Sequence, residues 1–220
     1  MKLLLTSAGI KNATINDAMV ELLGKPIAEC DALAIPTAGY AMGGPPGSYR
    51  FITGTATTPM CELGWKSLGV LEVTALPSLV KEEWVSWVRE TDVLLANGGD
   101  SLYLGYWMRE SGLLDLLSSL EDKVWVGLSG GSMVMTPRIG KDFMHWPTPD
   151  GSDTALGLVD FSIFPHLDHP NLPTNTMADA ERWAAEVRGP AYAIDDETAI
   201  QVVDGKVDVI SVGHWKLFNA

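Results

Sequence analysis

The sequence predicts an α/β fold in which helices cover a mostly parallel sheet. Short apolar runs of strand length alternate along the chain with stretches whose apolar residues recur at helical spacing. The 220 residues are 46% hydrophobic, which is enough for one well-buried core. Because we find no internal repeat, low-complexity segment or linker, we expect a single domain over residues 1–220.

The first part of the chain begins this alternation. Lys2–Thr6 and Ala32–Ile35 are apolar runs typical of buried strands, and Asn16–Leu23 between them has helical periodicity. Residues 38–48 are rich in glycine and proline, so we expect a loop there, either near the functional site or simply on the surface. Ser78 is the predicted N-cap of the next helix.

Two later strands end in glycine-rich turns. Val93–Ala96 continues into residues 97–100, with the sequence Asn-Gly-Gly-Asp, and Val124–Leu128 continues into residues 129–132, with the sequence Ser-Gly-Gly-Ser. Apolar residues at helical spacing follow each turn. Strand, glycine turn and helix therefore form the recurrent unit of this fold.

The last third of the chain is rich in strands. Leu158–Phe164 is strand-like, and a helix is predicted from about Ala178 to Val187. Asp204 and Gly205 indicate a tight hairpin between two of the final strands. The final predicted strands are Tyr192–Ile194, Thr198–Val203 and Val207–Val212.

Charge and cysteine content narrow the classes of function. The formal net charge of -13 repels phosphate backbones and anionic lipids, so we expect neither nucleic acid nor a membrane surface as partner. No stretch approaches the ~20 apolar residues of a membrane span, and the apolar start of the chain is too short for a secretory signal. Cys30 and Cys61 lack metal or redox spacing, which favours a cytoplasmic protein without a cofactor.

The strongest local motif is Gly127–Gly131, a G-x-S-x-G run between a predicted buried strand and a helix. A serine on such a turn projects its hydroxyl above the sheet, while the flanking glycines let backbone pass closely. We therefore predict that Ser129 is a nucleophile and that the amide of Gly130 faces a developing oxyanion. The alternative is a turn whose serine only caps the next helix.

The position of the histidines limits the choice of base. All four lie after Ser129, which excludes triads in which histidine precedes serine. Two orders remain: Ser129 with His166 and a later acid, or Ser129 with an intervening acid and His214. His166 ends a predicted buried strand, whereas His214 lies inside the apolar run Val212–Phe218, so His166 is the better base. Residues 195–197, with the sequence Asp-Asp-Glu, could orient its imidazole.

Metal and nucleotide sites are not expected. Residues 166–169, with the sequence His-Leu-Asp-His, lack the i, i+4 pairing and the further ligands of zinc motifs. The turn at 97–100 has too few glycines for a phosphate loop, and no Lys-Ser or Lys-Thr follows it. Its amides could instead supply the second half of an oxyanion hole.

Taken together, these segments resemble the aspartyl dipeptidase (peptidase E) and cyanophycinase family of serine peptidases. The order and spacing of Asn97–Ser101, Gly127–Ser132 and Phe164–His166 match that family across most of the chain. Ile35–Ala38 and Ile194–Ile200 also resemble its pattern. The resemblance implies a three-layer α/β/α fold like the class I glutamine amidotransferase domain, with serine in place of the cysteine nucleophile.

The resemblance also implies roles for individual residues. Ser129 is the implied nucleophile, and His166 is the implied general base and then acid. The amides of Gly99 and Gly130 form the implied oxyanion hole. The family's acid aligns best with Asp196, where many relatives carry glutamate. The rival acids are Asp142, Asp195 and Glu197.

The resemblance implies small peptides as substrates, in particular dipeptides, including those with an amino-terminal aspartate (Asp-X). An aspartate side chain in the substrate needs a cationic group in the pocket. The candidates are Arg138, Lys141 and Arg182, with Asp100 as a further substrate-binding residue.

The family also suggests a homo-oligomer, for which the tryptophans and methionines of the predicted helices leave room for an apolar interface. Two alternatives stay open from the sequence. One is an esterase or amidase that uses Ser129, Asp196 and His214. The other is a non-catalytic binding domain that keeps the same fold.

Overall fold

The chain forms ten strands and eight α-helices, and the structure, a computed structural model, describes all residues 1–220. The strands are β1 (Lys2–Thr6), β2 (Asp31–Ile35), β3 (Ser67–Val70), β4 (Val93–Ala96), β5 (Val124–Leu128), β6 (Ser162–Phe164), β7 (Ala191–Ile194), β8 (Thr198–Val203), β9 (Lys206–Ser211) and β10 (Trp215–Phe218). The helices are α1 (Ala13–Leu23), α2 (Thr37–Tyr40), α3 (Gly44–Ile52), α4 (Lys81–Glu90), α5 (Ser101–Glu110), α6 (Leu113–Leu117), α7 (Gly130–Met133) and α8 (Met177–Val187).

The strands form two sheets. The larger sheet has seven strands in the order β3-β2-β4-β5-β1-β8-β9. Its first five strands are parallel, and β8 and β9 are antiparallel additions at one edge. The smaller sheet has the order β10-β7-β6. The carboxyl ends of the five parallel strands therefore meet along one edge, and the predicted mostly parallel sheet is confirmed.

The hydrophobic core lies on both faces of the larger sheet. Along β1, Leu3 and Leu5 belong to one buried cluster and Leu4 to another, because successive side chains of a strand point to opposite faces. Trp84 of α4 packs in the first cluster, and Ile15 of α1 packs in the second. The sheet is thus covered by helices on both sides, which gives the three layers that the family resemblance implies.

The region around α2 and α3 corrects one expectation. Glycine and proline at 38–48 predicted a loop, but two short helices occupy most of this stretch. Pro45 and Pro46 lie in the first turn of α3, where a backbone amide has no intrahelical acceptor and proline therefore loses no hydrogen bond. The loop prediction was wrong because it considered only the glycine and proline content of the segment, and not where the prolines lie in the helix.

Smaller differences concern the ends of elements. Ser78 ends a 3₁₀ helix, Val73–Ser78, and the N-cap of α4 is Val80. The strand predicted from Leu158 is limited to β6, and His214 lies just before β10 instead of inside a strand. The longest helices have 11 residues, and no helix has the length and apolar content needed to cross a membrane.

Candidate active site

A cleft of about 660 Å³ opens at the carboxyl edge of the parallel strands. Its lining includes Gly99 from the turn after β4, Ser129 from the turn after β5, and His166 from the loop after β6. Helix α3 contributes Arg50 to the same cleft. Three segments that lie far apart in the sequence therefore meet at the edge where open α/β sheets bind their ligands.

Ser129 occupies a strained turn. Its backbone angles are φ 48° and ψ -110°, in a region that residues other than glycine rarely adopt. The turn is held because the Ser129 amide donates to the carbonyl oxygen of Thr6 at 3.0 Å, and the Ser129 carbonyl accepts from Ser132 and Met133. Its hydroxyl makes no hydrogen bond within the protein. This is the strand-to-helix geometry expected of a nucleophile elbow.

Gly99 and Gly130 bring the two glycine-rich turns into backbone contact. A Cβ at Gly130 would overlap the carbonyl oxygen of Gly99, and a Cβ at Gly99 would overlap that of Ala38. Gly99 also has φ 132°, which suits only glycine. The Gly99 amide donates no hydrogen bond within the chain, and Gly130, as the first residue of α7, has no intrahelical acceptor. Both amides are therefore free to bind an oxyanion.

His166 is anchored to Asp196. Nδ1 of His166 lies 2.7 Å from Oδ1 of Asp196, and about a quarter of each side chain is exposed. Burial raises the pKa of the Asp196 carboxyl, but the hydrogen bond and charge of His166, together with the Ser7 hydroxyl, outweigh it and hold this pKa below its ordinary 3.8. An ionised Asp196 accepts a hydrogen bond from Nδ1–H of His166, which leaves the lone pair of the imidazole on Nε2.

No hydrogen bond joins Ser129 to His166 in this structure. Nε2 of His166 has no partner in the protein, and the Ser129 hydroxyl has none either. Both side chains line the same cleft. In unliganded sites such hydrogen bonds are often long and tighten only in the complex with substrate.

Among the candidate acids, only Asp196 contacts His166. Asp195 accepts hydrogen bonds from the His214 amide and the Thr198 hydroxyl, so it organises its own turn. Glu197 pairs with Asn12 at 2.9 Å. Asp142 lines the cleft without contacting a histidine.

His214 is held outside the cleft. Its two ring nitrogens lie 3.0 Å from carboxylate oxygens of Asp168 and Asp195. It neither contacts Asp196 nor lines the cleft with Ser129. The arrangement required for an esterase or amidase triad of Ser129, Asp196 and His214 is therefore not present.

The predicted substrate-binding residues lie elsewhere. Asp100 is only 1% exposed and caps α5 by accepting from the Tyr103 amide at 2.8 Å, while its other oxygen accepts from the Trp146 amide. Arg138 pairs with Asp153 and donates to the carbonyl groups at the end of α8. Asp100 and Arg138 therefore already have hydrogen-bonding partners within the protein.

The remaining predicted cations are also outside the cleft. Arg182 pairs with Asp179 on the exposed face of α8, and Lys141 does not line the cleft. Arg138 and Arg182 thus have carboxylate partners within the protein, and Lys141 is not part of the cleft lining, since charge type alone does not indicate on which side of the fold a residue lies. Arg50 is the only lysine or arginine among the residues that line the cleft.

Sequence reasoning missed Arg50 and Ser7. Arg50 was missed because a loop was predicted for residues 38–48. The helix α3 that is present there instead places Arg50 at the cleft. Ser7 follows β1 and is fully buried, with its hydroxyl beside both His166 and Asp196. No local motif marks it, because its partners are more than 150 residues away along the chain.

The other reactive groups do not form a second centre. No group of three or more His, Cys, Asp and Glu side chains is placed to hold a metal ion. Cys30 and Cys61 are free and buried, and neither lines the cleft. Burial raises the pKa of the Cys61 thiol to about 12, so it is not a thiolate nucleophile near neutral pH.

Known proteins resemble this chain in sequence family and in fold. The model of Peptidase family S51 matches residues 3–210. A solved structure from Listeria monocytogenes EGD-e, provisionally assigned as a peptidase E protein, has a TM-score of 0.67 at 20% identity, covering 96% of this chain and 98% of that one.

A peptidase from an acI-B1 Actinobacterium has a TM-score of 0.60 at 18% identity, covering 100% of this chain and 94% of that one. These likenesses are of fold, and they agree with the class I glutamine amidotransferase-like architecture that the sequence predicts. No curated protein matches the sequence at a significant level.

Proposed function

The chain belongs to peptidase family S51 and is a serine-type peptidase, and we propose that it hydrolyses dipeptides, including Asp-X, with Ser129 as nucleophile. The observation that carries the proposal is the shared cleft, in which a strained Ser129 lies with Gly99 and an Asp196-anchored His166. These residues supply a nucleophile, an oxyanion site and a base at one sheet edge.

The first half of the proposed reaction forms an acyl-enzyme. Oγ of Ser129 attacks the carbonyl carbon of the peptide bond while Nε2 of His166 takes the hydroxyl proton. The carbonyl oxygen becomes an oxyanion and accepts hydrogen bonds from the amides of Gly99 and Gly130. When the carbon-nitrogen bond breaks, His166 returns the proton to the leaving amine.

The second half releases the acyl group. Nε2 of His166 takes a proton from water, whose oxygen attacks the ester carbonyl carbon. The ester bond then breaks and the proton passes to Oγ of Ser129. In both halves Asp196 stays ionised, because the low pKa of its carboxyl keeps it able to stabilise the imidazolium.

The proposed preference for small acidic peptides rests on the cleft and on Arg50. A cleft of about 660 Å³ is within the range of ordinary small-molecule sites and holds a dipeptide comfortably. Arg50 is exposed and its guanidinium has no partner in the protein, so it is free to bind a carboxylate in a bidentate manner. The overall charge of -13 makes such a local cation necessary for an acidic substrate.

The test is a panel of dipeptides that differ at the amino-terminal residue, incubated with wild type, Ser129→Ala and Ser162→Ala. Ser162 is a buried serine outside the cleft and serves as the matched control. We expect release of free amino acids from Asp-X by wild type and Ser162→Ala, and none by Ser129→Ala.

Other outcomes would change the proposal in specific ways. Serine-dependent cleavage of neutral dipeptides alone would keep the mechanism and remove the aspartate preference. No serine-dependent turnover of any peptide, together with no labelling of Ser129 by a fluorophosphonate, would favour a binding role for the cleft.

Two further proposals concern location and assembly. The two buried, unpaired cysteines suit a reducing compartment, and we place the protein in the cytoplasm; localisation of a tagged chain tests this. Leu68 and Val70 of the edge strand β3 and Trp87 of α4 are exposed apolar side chains, which suit a homo-oligomer. Light scattering coupled to size exclusion measures the oligomeric state.

A further inference from the structure

We propose that Ser7 is a positioning residue that holds His166 and Asp196 in the geometry the peptidase reaction needs. The proposal deepens the proposed function and depends on its assignment of His166 as the base. Ser7 is fully buried and directly follows β1, which lies between β5 and β8 in the sheet. Its position therefore places it between the turn of Ser129 and the turn of Asp196.

The Ser7 hydroxyl contacts both partners of the histidine-carboxylate pair. The backbone amide of His166 donates to Oγ of Ser7 at 2.6 Å. Oγ of Ser7 lies 3.2 Å from Oδ1 of Asp196 and 3.4 Å from Nδ1 of His166. One hydroxyl group thus touches the backbone and the side chain of the base and the carboxylate that anchors it.

The proton positions in this cluster follow from its donors and acceptors. A serine hydroxyl has one proton and two lone pairs, and the His166 amide must donate, so Oγ of Ser7 accepts there. Its own proton is then directed to Oδ1 of Asp196, because Nδ1 of His166 uses its proton for the same carboxylate at 2.7 Å. Only the tautomer with hydrogen on Nδ1 satisfies all three contacts, and it leaves Nε2 free for the Ser129 proton.

The backbone of His166 needs this support. Its φ of 56° lies in the left-handed region, which costs free energy for a residue with a side chain. The hydrogen bond to Ser7 satisfies the amide in that conformation and so holds the imidazole at the cleft. Without the Ser7 hydroxyl, this amide and Oδ1 of Asp196 each lose a partner.

A second histidine lies near the Asp196 carboxylate. Nε2 of His169 lies 3.6 Å from Oδ2 of Asp196. The hydroxyl of Ser7 and Nδ1 of His166 both contact the other oxygen, Oδ1. Ser7 and His166 therefore share one carboxylate oxygen of Asp196, and the other oxygen is the one nearer to His169.

The experiment compares Ser7→Ala with wild type and with Ser162→Ala, whose hydroxyl is also buried and donates to the carbonyl oxygen of Arg138 at 2.8 Å. For Ser7→Ala we expect kcat on Asp-X to fall about tenfold to a hundredfold, because misplacing the general base loses part of its contribution to the rate. KM should stay within about twofold of the wild-type value. Ser162→Ala should keep wild-type values. Ser7→Thr retains a hydroxyl and should recover most of the lost kcat.

A second readout is independent of the substrate. The ¹⁵N NMR shifts of labelled histidine, assigned for His166 with His166→Gln, report which ring nitrogen carries the proton. We expect the Nδ1-H form in wild type and a mixture of tautomers in Ser7→Ala. If wild type hydrolyses no peptide, the proposed function fails, while this measurement still tests the hold of Ser7 on His166.

The proposal would be overturned if Ser7→Ala kept both the wild-type kcat and the wild-type tautomer of His166. A lower unfolding midpoint with an unchanged tautomer and kcat would likewise overturn it and leave Ser7 a purely structural role. Should Ser7→Ala not fold, Ser7→Cys is measured in the same way, since its thiol is a weak donor and should give the same direction of change.

Discussion

Two regions of the site differ in how firmly their polar groups are held. Ser7, His166 and Asp196 are joined by contacts of 2.6–3.2 Å, and each has its partners before any substrate arrives. Arg50 on α3 is exposed and has no partner in the protein. The groups proposed for catalysis are therefore held in place by the protein itself, whereas Arg50, the group proposed for recognition, is left to bind a carboxylate of the substrate.

The largest effect should come from removing the base. We expect His166→Gln to lower kcat about 10⁴-fold, because the Ser129 hydroxyl then has no proton acceptor. The matched variant His214→Gln removes a histidine that lies outside the cleft and should keep activity within about twofold. Steady-state release of amino acids from Asp-X measures both, and loss of activity in His214→Gln alone would restore the alternative triad.

Next in size is the loss of the anchoring carboxylate. Asp196→Asn should lower kcat about 10³-fold to 10⁴-fold, since an amide donates to Nδ1 and selects the wrong tautomer. Asp142→Asn removes the rival acid, which lines the cleft without touching a histidine, and should have little effect on kcat. The opposite ranking of these two variants would assign the role of the acid to Asp142.

Arg50→Met tests the recognition part of the cleft. We expect kcat/KM on Asp-X to fall about tenfold to a hundredfold, the value of one charge-assisted hydrogen bond, with kcat at saturation nearly unchanged. Arg89→Met, on α4 and outside the cleft, is the matched control.

A further comparison shows which carboxylate of the substrate Arg50 binds. The substrates Asp-X, Asn-X and the carboxyl-terminal amide of Asp-X are each measured with wild type and Arg50→Met. If Arg50 binds the aspartate side chain, the variant should lose its preference for Asp-X over Asn-X. If it binds the carboxyl terminus, the variant should lose its preference for the free dipeptide over its amide. An unchanged kcat/KM on all three substrates would remove Arg50 from substrate binding.

The smallest effect concerns stability against pH. The pKa of Asp196 is lower in the folded protein than its ordinary 3.8, so its ionised form stabilises the fold. This contribution of Asp196 to the free energy of unfolding is fully present at pH values above its ordinary pKa. It is lost as the pH falls through the lower pKa that Asp196 has in the folded protein. The difference in unfolding midpoint between wild type and Asp196→Asn should therefore shrink as pH falls below 3.8. A difference that grows towards acid would contradict this sign.

Much of the fold could be predicted because it is encoded locally. Apolar runs such as Lys2–Thr6 and Val124–Leu128 are strands with the predicted bounds, and helix α8 lies within a residue of its prediction. The strand β3 was missed because Ser67–Val70 is an exposed edge strand with a glycine and little apolar periodicity. The single domain over residues 1–220 stays a prediction.

The sequence alone determined most of the buried strands and the elbow of Ser129, since a buried strand, a glycine-rich turn and a short helix follow one another within a few contiguous residues. Only the tertiary structure decided which of four acids faces His166, which cation lines the cleft, and that Ser7 joins the cluster. The physical reason is distance along the chain. Ser7 is separated from His166 by 159 residues and from Asp196 by 189, and packing of the strands alone brings them into hydrogen-bonding range.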